Sequence, residues 1–259
     1  LEIQIKKTLD EGRLKAKAII SVDLFGQLSD YKKIEKIAKK YNLFLIEDAA
    51  QSFGASCDGK KSCSFGDVAA TSFFPAKPLG CYGDGGAIFT NDSKLASIFK
   101  SIRMHGQGKD KYDNVRIGLN SRLDTIQAVV LLNKLKIFDD ELFLREKVAN
   151  YYSDVLSEYL ITPSIGKGNR SAWAQYSLLA QNKKERDDLI AYLNNENIPT
   201  AVYYKKLFSD LEIYKHLNKK SYSVSKGVSE RIFSIPMHPY LKESELDKII
   251  SLIDKFYKQ

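Results

Sequence analysis

Residues 17–48, KAIISVDLFGQLSDYKKIEKIAKKYNLFLIED, decide the fold. Lys17 to Val22 is a short apolar run of strand length, rich in β-branched residues, and reads as a buried strand. From Ser29 to Tyr41 the apolar positions Tyr31, Ile34, Ile37, Ala38 and Tyr41 recur at helical spacing. Leu43-Phe44-Leu45-Ile46 is a second apolar run and ends at Glu47-Asp48. Strand, helix and strand in about 30 residues make a βαβ unit, and its crossover demands a parallel sheet. Functional groups in such sheets gather at the carboxyl ends of the strands, where Asp48 stands.

Downstream, Val68 to Phe74 is a further strand candidate, followed by Pro75-Ala76-Lys77-Pro78-Leu79-Gly80. Two prolines around one lysine fix the local backbone and forbid a helix. Gly83-Asp84-Gly85-Gly86 permits tight turns and close backbone approach, and Ala87 to Thr90 reads as a strand. Residues 93–104 read as a helix ending near His105-Gly106, and a long helix is expected from an N-cap at Asp124 to about residue 150. Beyond about residue 155, short strands (Ala174 to Leu179, Thr200 to Tyr204) alternate with helices (Glu185 to Asn195, Glu243 to Tyr257). The expected division is therefore 1–150 and 151–259, the second part a smaller α/β domain.

The 259 residues are 44% hydrophobic, enough for a sizeable core. The net charge of +8 sits partly in pairs such as Lys32-Lys33, Lys39-Lys40 and Lys219-Lys220, as on a solvated surface that also favours an anionic substrate. With no aromatic-interleaved basic stripe and no recognition motif, nucleic acid is not an expected partner. No apolar run approaches the roughly 18 residues of a membrane span, and no leader pattern is visible. A soluble cytoplasmic protein is expected, with no membrane partner. Cys57, Cys63 and Cys81 contain no C-x-x-C pair, so reduced thiols and no metal site are expected.

Read locally, the candidate chemical residues have ordinary alternatives. Asp48 serves as a capping carboxylate or pairs with a protonated pyridine nitrogen. Lys77, in a rigid loop between an apolar strand and a glycine-rich turn, is a surface cation or a desolvated amine able to form a Schiff base. Ser72 caps or donates to a phosphate. Asn120 and Arg122 provide helix-entry chemistry or hold an anion. His105, His216 and His238 read as capping, surface and loop residues.

Taken together these segments are recognisable. Glu47-Asp48-Ala49-Ala50-Gln51-Ser52, Ser72-Phe73-Phe74-Pro75-Ala76-Lys77-Pro78-Leu79-Gly80, Gly83-Asp84-Gly85-Gly86 and Gly118-Leu119-Asn120-Ser121-Arg122-Leu123-Asp124 stand in the order and spacing of one family. The chain resembles the DegT/StrS sugar aminotransferases over essentially its whole length. Arg103-Met104-His105-Gly106-Gln107, Ala174-Gln175-Tyr176 and Pro236-Met237-His238-Pro239-Tyr240-Leu241 make it most similar to enzymes that aminate C3 of a UDP-linked 3-keto N-acetyl hexuronic acid.

The resemblance implies an aspartate-aminotransferase-like α/β fold (fold type I) with a mostly parallel sheet, and a homodimer with shared active sites. The implied cofactor is pyridoxal 5'-phosphate, with pyridoxamine phosphate as its aminated form. Lys77 would bind it covalently and move a proton, Asp48 hold the pyridinium, Gln51 contact the ring, and Ser72 donate to the phosphate. Asn120 would reach the phosphate of the partner's cofactor and Arg122 the substrate carboxylate. Tyr203 and Tyr204 stand where relatives carry a substrate-contacting His-Tyr pair. The implied reaction moves an amino group from an amino acid, L-glutamate, to a UDP-sugar for surface polysaccharide, such as lipopolysaccharide. Relatives extend about a hundred residues further upstream, in a block that supplies a Gly-Thr turn for the phosphate and an aromatic for the ring. The large domain is thus expected to be N-terminally incomplete and its hold on the cofactor weak. The alternative is an inert paralogue that only dimerises.

Overall fold

The computed structural model describes residues 1–110, 112–214, 216 and 222–258; the Lys219-Lys220 pair lies outside them. In chain order the first elements are α1 (Glu2–Glu11), β1 (Ala18–Val22), α2 (Tyr31–Lys40), β2 (Phe44–Asp48), β3 (Ser56–Cys57), β4 (Lys60–Lys61), β5 (Val68–Ser72), β6 (Gly86–Phe89) and α3 (Ser93–Arg103). There follow α4 (Thr125–Lys134), α5 (Phe138–Leu156), β7 (Asn169–Arg170), β8 (Tyr176–Leu179), α6 (Lys183–Asn195), α7 (Ser223–Arg231), β9 (Ile232–Ile235) and α8 (Glu243–Lys258). The chain forms two compact units, Leu1–Asp139 with Gly166–Ala172, and Asp140–Ile165 with Trp173–Gln259.

The βαβ reading of residues 17–48 is realised in the first unit. Its main sheet has the order β1-β2-β5-β6, with β1, β2 and β5 parallel and β6 antiparallel to β5. Asp30 caps α2 by accepting the Lys33 amide at 3.2 Å, and Asp92 caps α3 through the Lys94 and Leu95 amides at 2.7 and 3.1 Å. Ile5 of α1, Tyr31 and Ala38 of α2, Ile19, Leu45 and Phe65 form one buried cluster. That cluster occupies a single face of the sheet.

The other face differs from the expectation of a buried strand. Along β1 burial alternates, and Ile20 and Val22 are 66% and 49% exposed. On the same face of the sheet Phe44, Ala70 and Ile88 are exposed as well. The cluster above covers the odd-numbered residues of β1 and β2, so alternate residues of each apolar run remain exposed.

Two more expectations need correction. The helix expected from Asp124 to about residue 150 is two helices, broken at residues 135–137. There i→i+3 bonds (Lys136 N to Asn133 O, Ile137 N to Lys134 O) tighten the turn, and the Asn133 amide donates to Val129 O. Asp124 holds the N-cap position of α4 without a side-chain capping bond. Thr200 to Tyr204 forms only a bridge between Ala201 and Ser234, because Tyr203 and Tyr204 enter a turn. Helix α1 had no counterpart in the sequence reading.

In the second unit β8 and β9 pair antiparallel across the intervening α6 and α7, Tyr176 with Ile235 through Leu179 with Ile232. Tyr152, Leu156, Tyr176, Leu178, Leu189, Leu193, Phe233 and Ile253 form the centre of its core, each 0% exposed. Asn182 accepts the Glu185 amide and Glu185 accepts the Gln181 amide, both at 3.0 Å, a reciprocal cap that starts α6.

Candidate functional site

The carboxyl edge of the main sheet brings several singled-out residues together. Asp48 is the last residue of β2 and pairs in register with Ala70, two residues before Ser72 at the end of β5. Side chains two apart share a face, so Asp48 and Ser72 stand on the same side, on the uncovered face, with Cα atoms roughly 8 Å apart by strand spacing. Asp48 Oδ1 accepts the Ala50 amide at 3.1 Å, and Ser72 Oγ accepts the Phe74 amide at 3.2 Å. Gln51, largely buried, uses Oε1 to accept the Phe25 amide at 2.5 Å.

Lys77 lies in the loop that leaves β5. Phe73 N donates to Gly85 O at 2.7 Å, Cys81 N to Phe73 O at 2.8 Å, and Lys77 N to Phe74 O at 2.9 Å. A Cβ on Gly80 would lie 2.6 Å from the Pro75 carbonyl oxygen and 2.8 Å from that of Phe74, so the close return of this loop requires glycine. Lys77 is half-buried, and among the described residues no hydrogen bond or ion pair engages its amine.

Beneath Asp48 lies a group that sequence reasoning missed. Glu47 and Asp23 are both 0% exposed. Asp23 Oδ1 accepts from Ser29 N at 3.0 Å and Tyr31 OH at 2.8 Å, and its Oδ2 from Ser52 Oγ at 2.9 Å. Glu47 accepts the Cys63 amide at 2.7 Å and the Phe65 amide at 2.9 Å. Burial, and then the charge of the neighbouring Asp23, pushes Glu47 up to about 7, and burial raises Asp23. Burial, with Glu47 nearby, also lifts the Cys63 thiol to about 12, leaving it an unreactive thiol. Parity is the available signal: in a strand ending Glu47-Asp48, one of the two acids must point inward.

Asn120 and Arg122 are placed elsewhere. Both are exposed, linked by a 3.1 Å bond from Arg122 Nε to Asn120 Oδ1, and line an open cleft of 1140 Å³ with Asp84, Lys100 and Arg103. Lys77, Asp48 and Ser72 do not line that cleft. Tyr203 and Tyr204 belong to the second unit, 37% and 54% exposed. There, His238 Nδ1 accepts the Tyr240 amide at 3.2 Å, and burial holds its imidazole below the usual range.

A carboxylate and a hydroxyl about one phosphorylated ring apart on one sheet face, with an unpaired amine in the adjoining rigid loop, fit a phosphopyridine. Among the described residues no group of three or more His, Cys, Asp or Glu could hold a metal, and no helix is long and apolar enough to cross a membrane.

Comparison with known proteins agrees. UDP-2-acetamido-2-deoxy-3-oxo-D-glucuronate aminotransferase of Pseudomonas aeruginosa is 48% identical over 237 residues, 91% of this chain and 64% of that protein. The crystal structure of a DegT DnrJ EryC1 StrS aminotransferase from Brucella abortus superposes with a TM-score of 0.95 at 50% identity, covering all of this chain and 69% of that one. NtdA from Bacillus subtilis, solved with bound cofactor PMP, gives 0.84 at 26% identity, covering 96% and 59%. The chain thus spans about two thirds of the length of these relatives, and the α/β aminotransferase fold is the one expected. The sequence profile of the DegT/DnrJ/EryC1/StrS aminotransferases matches residues 3–254, and the chain belongs to that family.

Proposed function

We propose that this chain is the greater part of a pyridoxal-phosphate-dependent aminotransferase acting on a nucleotide sugar. The observation that carries this is the placement of Asp48 and Ser72 on one face of adjacent strands, beside the closed Lys77 loop. Bound there, pyridoxal phosphate supplies an electron sink for the carbon that loses its proton.

The chain's own groups do the rest. Asp48, a carboxylate at a strand end, keeps a proton on the pyridine nitrogen. Ser72 donates its hydroxyl to the phosphate, and Gln51 packs beside the ring. Lys77 holds the cofactor covalently, and once displaced its amine removes and returns the proton at the reacting carbon. Lying apart from Lys77, Asn120 and Arg122 fit a role toward a second copy's site, Asn120 at the phosphate and Arg122 at a substrate carboxylate. Exposed Ile117, Leu119, Ile126, Val129 and Leu132 favour a homodimer through this region. Tyr203 and Tyr204 are assigned to substrate contact.

Similarity to the Pseudomonas aeruginosa enzyme supports a UDP-linked 3-keto N-acetyl hexuronic acid as acceptor, aminated at C3. L-glutamate is the donor that the family resemblance implies. A cytoplasmic role in surface polysaccharide synthesis accords with that substrate. Incubation with pyridoxal phosphate, borohydride reduction and peptide mass analysis tests the assignment. A phosphopyridoxyl group on Lys77, absent from Lys77→Ala, and a visible band that bleaches on adding L-glutamate are expected. A second reading, a chain that dimerises without catalysing, is favoured by the uncovered apolar face around Ile20 and Phe44. Dimeric protein with no label on Lys77 decides for it.

A further inference from the structure

The loop that carries Lys77 is fastened from two sides. Its inner limb is tied to β5 through Phe73, Cys81 and Gly85, as described above. Its outer limb, Gly80 to Gly83, leaves the Gly80 carbonyl and the Tyr82 amide to be satisfied from outside the loop. Helix α4 takes both. Lys134 Nζ donates to Gly80 O at 2.7 Å, and Gln127 Oε1 accepts the Tyr82 amide at 2.7 Å. The Lys134 ammonium also stands 5.1 Å from the centre of the Tyr82 ring. Contact at Gly83 is close, since a Cβ there would lie 3.2 Å from Gln127 Nε2.

Gln127, Leu131 and Lys134 follow at i, i+4 and i+7, one face of the helix. Leu131, between the two polar residues, is buried. The opposite face of α4 shows Ile126, Val129 and Leu132 to solvent. The helix therefore presents a polar pair, spaced by an apolar residue, to a loop whose backbone groups match it in kind: a donor for the carbonyl and an acceptor for the amide. An amine bound three residues upstream of Gly80 depends on this loop for its direction.

We propose that Gln127 and Lys134 are positioning residues that fix the loop bearing Lys77. The functional weight of the clamp rests on the reading of Lys77 as the cofactor lysine; the clamp itself does not. Hydrogen exchange of the unloaded protein, read by mass spectrometry on peptides covering residues 75–84, tests it. In Gln127→Ala and Lys134→Met, exchange in those peptides rises about tenfold, the size expected for one lost hydrogen bond to a charged or buried partner. Strands β1, β2 and β5 exchange as before. Gln127→Glu keeps the acceptor and Lys134→Arg keeps the donor, and both restore protection. Unchanged exchange in the alanine and methionine variants overturns the proposal, as does a rise spread over the whole unit or a failure of the conservative variants to rescue.

Borohydride labelling of the unchanged protein separates the two claims. A wild-type chain unlabelled at Lys77 sinks the cofactor reading, while the exchange result still decides the clamp. Where label is found, the pH midpoint of the cofactor's visible band moves in Gln127→Ala and returns in Gln127→Glu; an unmoved midpoint overturns the positioning role.

Discussion

Replacing Glu47 with glutamine reshapes the pH dependence of stability more than its level. Glu47 and Asp23 face each other fully buried, with Cys63, Tyr31, Ser29 and Ser52 around them and no cation among their hydrogen-bond partners. Burial first, then the neighbouring Asp23, raises Glu47 from 4.5 to about 7. A folded-state pKa above the unfolded one means that the native protein binds the extra proton. The stability it brings is fully present below about 4.5 and is lost as pH rises through about 7. At 1.36 kcal/mol per pH unit the loss is about 3 kcal/mol.

Glutamine cannot ionise, so this component vanishes in the variant. Its single oxygen serves only one of the Cys63 and Phe65 amides, leaving the other unpaired at a cost of about 1–3 kcal/mol at every pH. Urea unfolding followed by circular dichroism at pH 5, 6, 7 and 8 is the assay, fitted to the transition of the unit that contains β2. At pH 5 the variant is the less stable protein. By pH 8 the gap closes by about 2.5 kcal/mol, to parity or reversal. A gap that stays constant from pH 5 to pH 8 refutes the raised Glu47 pKa.

Two further outcomes are expected. Phe233→Ala empties a fully buried site in the core of the second unit and lowers its stability by about 3–5 kcal/mol in urea titration. Gly106→Ala would place a methyl carbon 1.8 Å from the Arg116 carbonyl oxygen at a φ of +77°. It loosens the close approach of residues 105–119, with a cost of at least about 1 kcal/mol and faster exchange of the His105 and Leu119 amides, which donate to Leu119 O and Ile102 O.

Much of this molecule was legible from residue order. Two apolar runs of strand length around a period-3.6 segment in residues 17–48 gave the parallel unit, because side-chain spacing follows backbone geometry directly. The prolines around Lys77 gave its loop, because proline fixes its own backbone and its predecessor's. The candidate set Asp48, Gln51, Ser72, Lys77, Asn120, Arg122, Tyr203 and Tyr204 came from motifs in register, and no local pattern alone would have isolated it. Helix α1 went unread although Gly12, in the left-handed conformation, marks its end. The stop between α4 and α5 went unread too, since a continuous run of good helix formers carries no sign of where tertiary contacts halt it.

Tertiary structure alone decided the rest. Which of Glu47 and Asp48 points inward depends on which face of the sheet α1 and α2 cover. Only the register of β2 on β5 puts Asp48 and Ser72 on one side. The clamp of Gln127 and Lys134 spans 45 and 54 positions along the chain to Tyr82 and Gly80. Sequence records what each residue is able to donate, accept or bury; folding chooses the partners, because hydrogen bonds and packing act over a few ångströms of space whatever the separation along the chain.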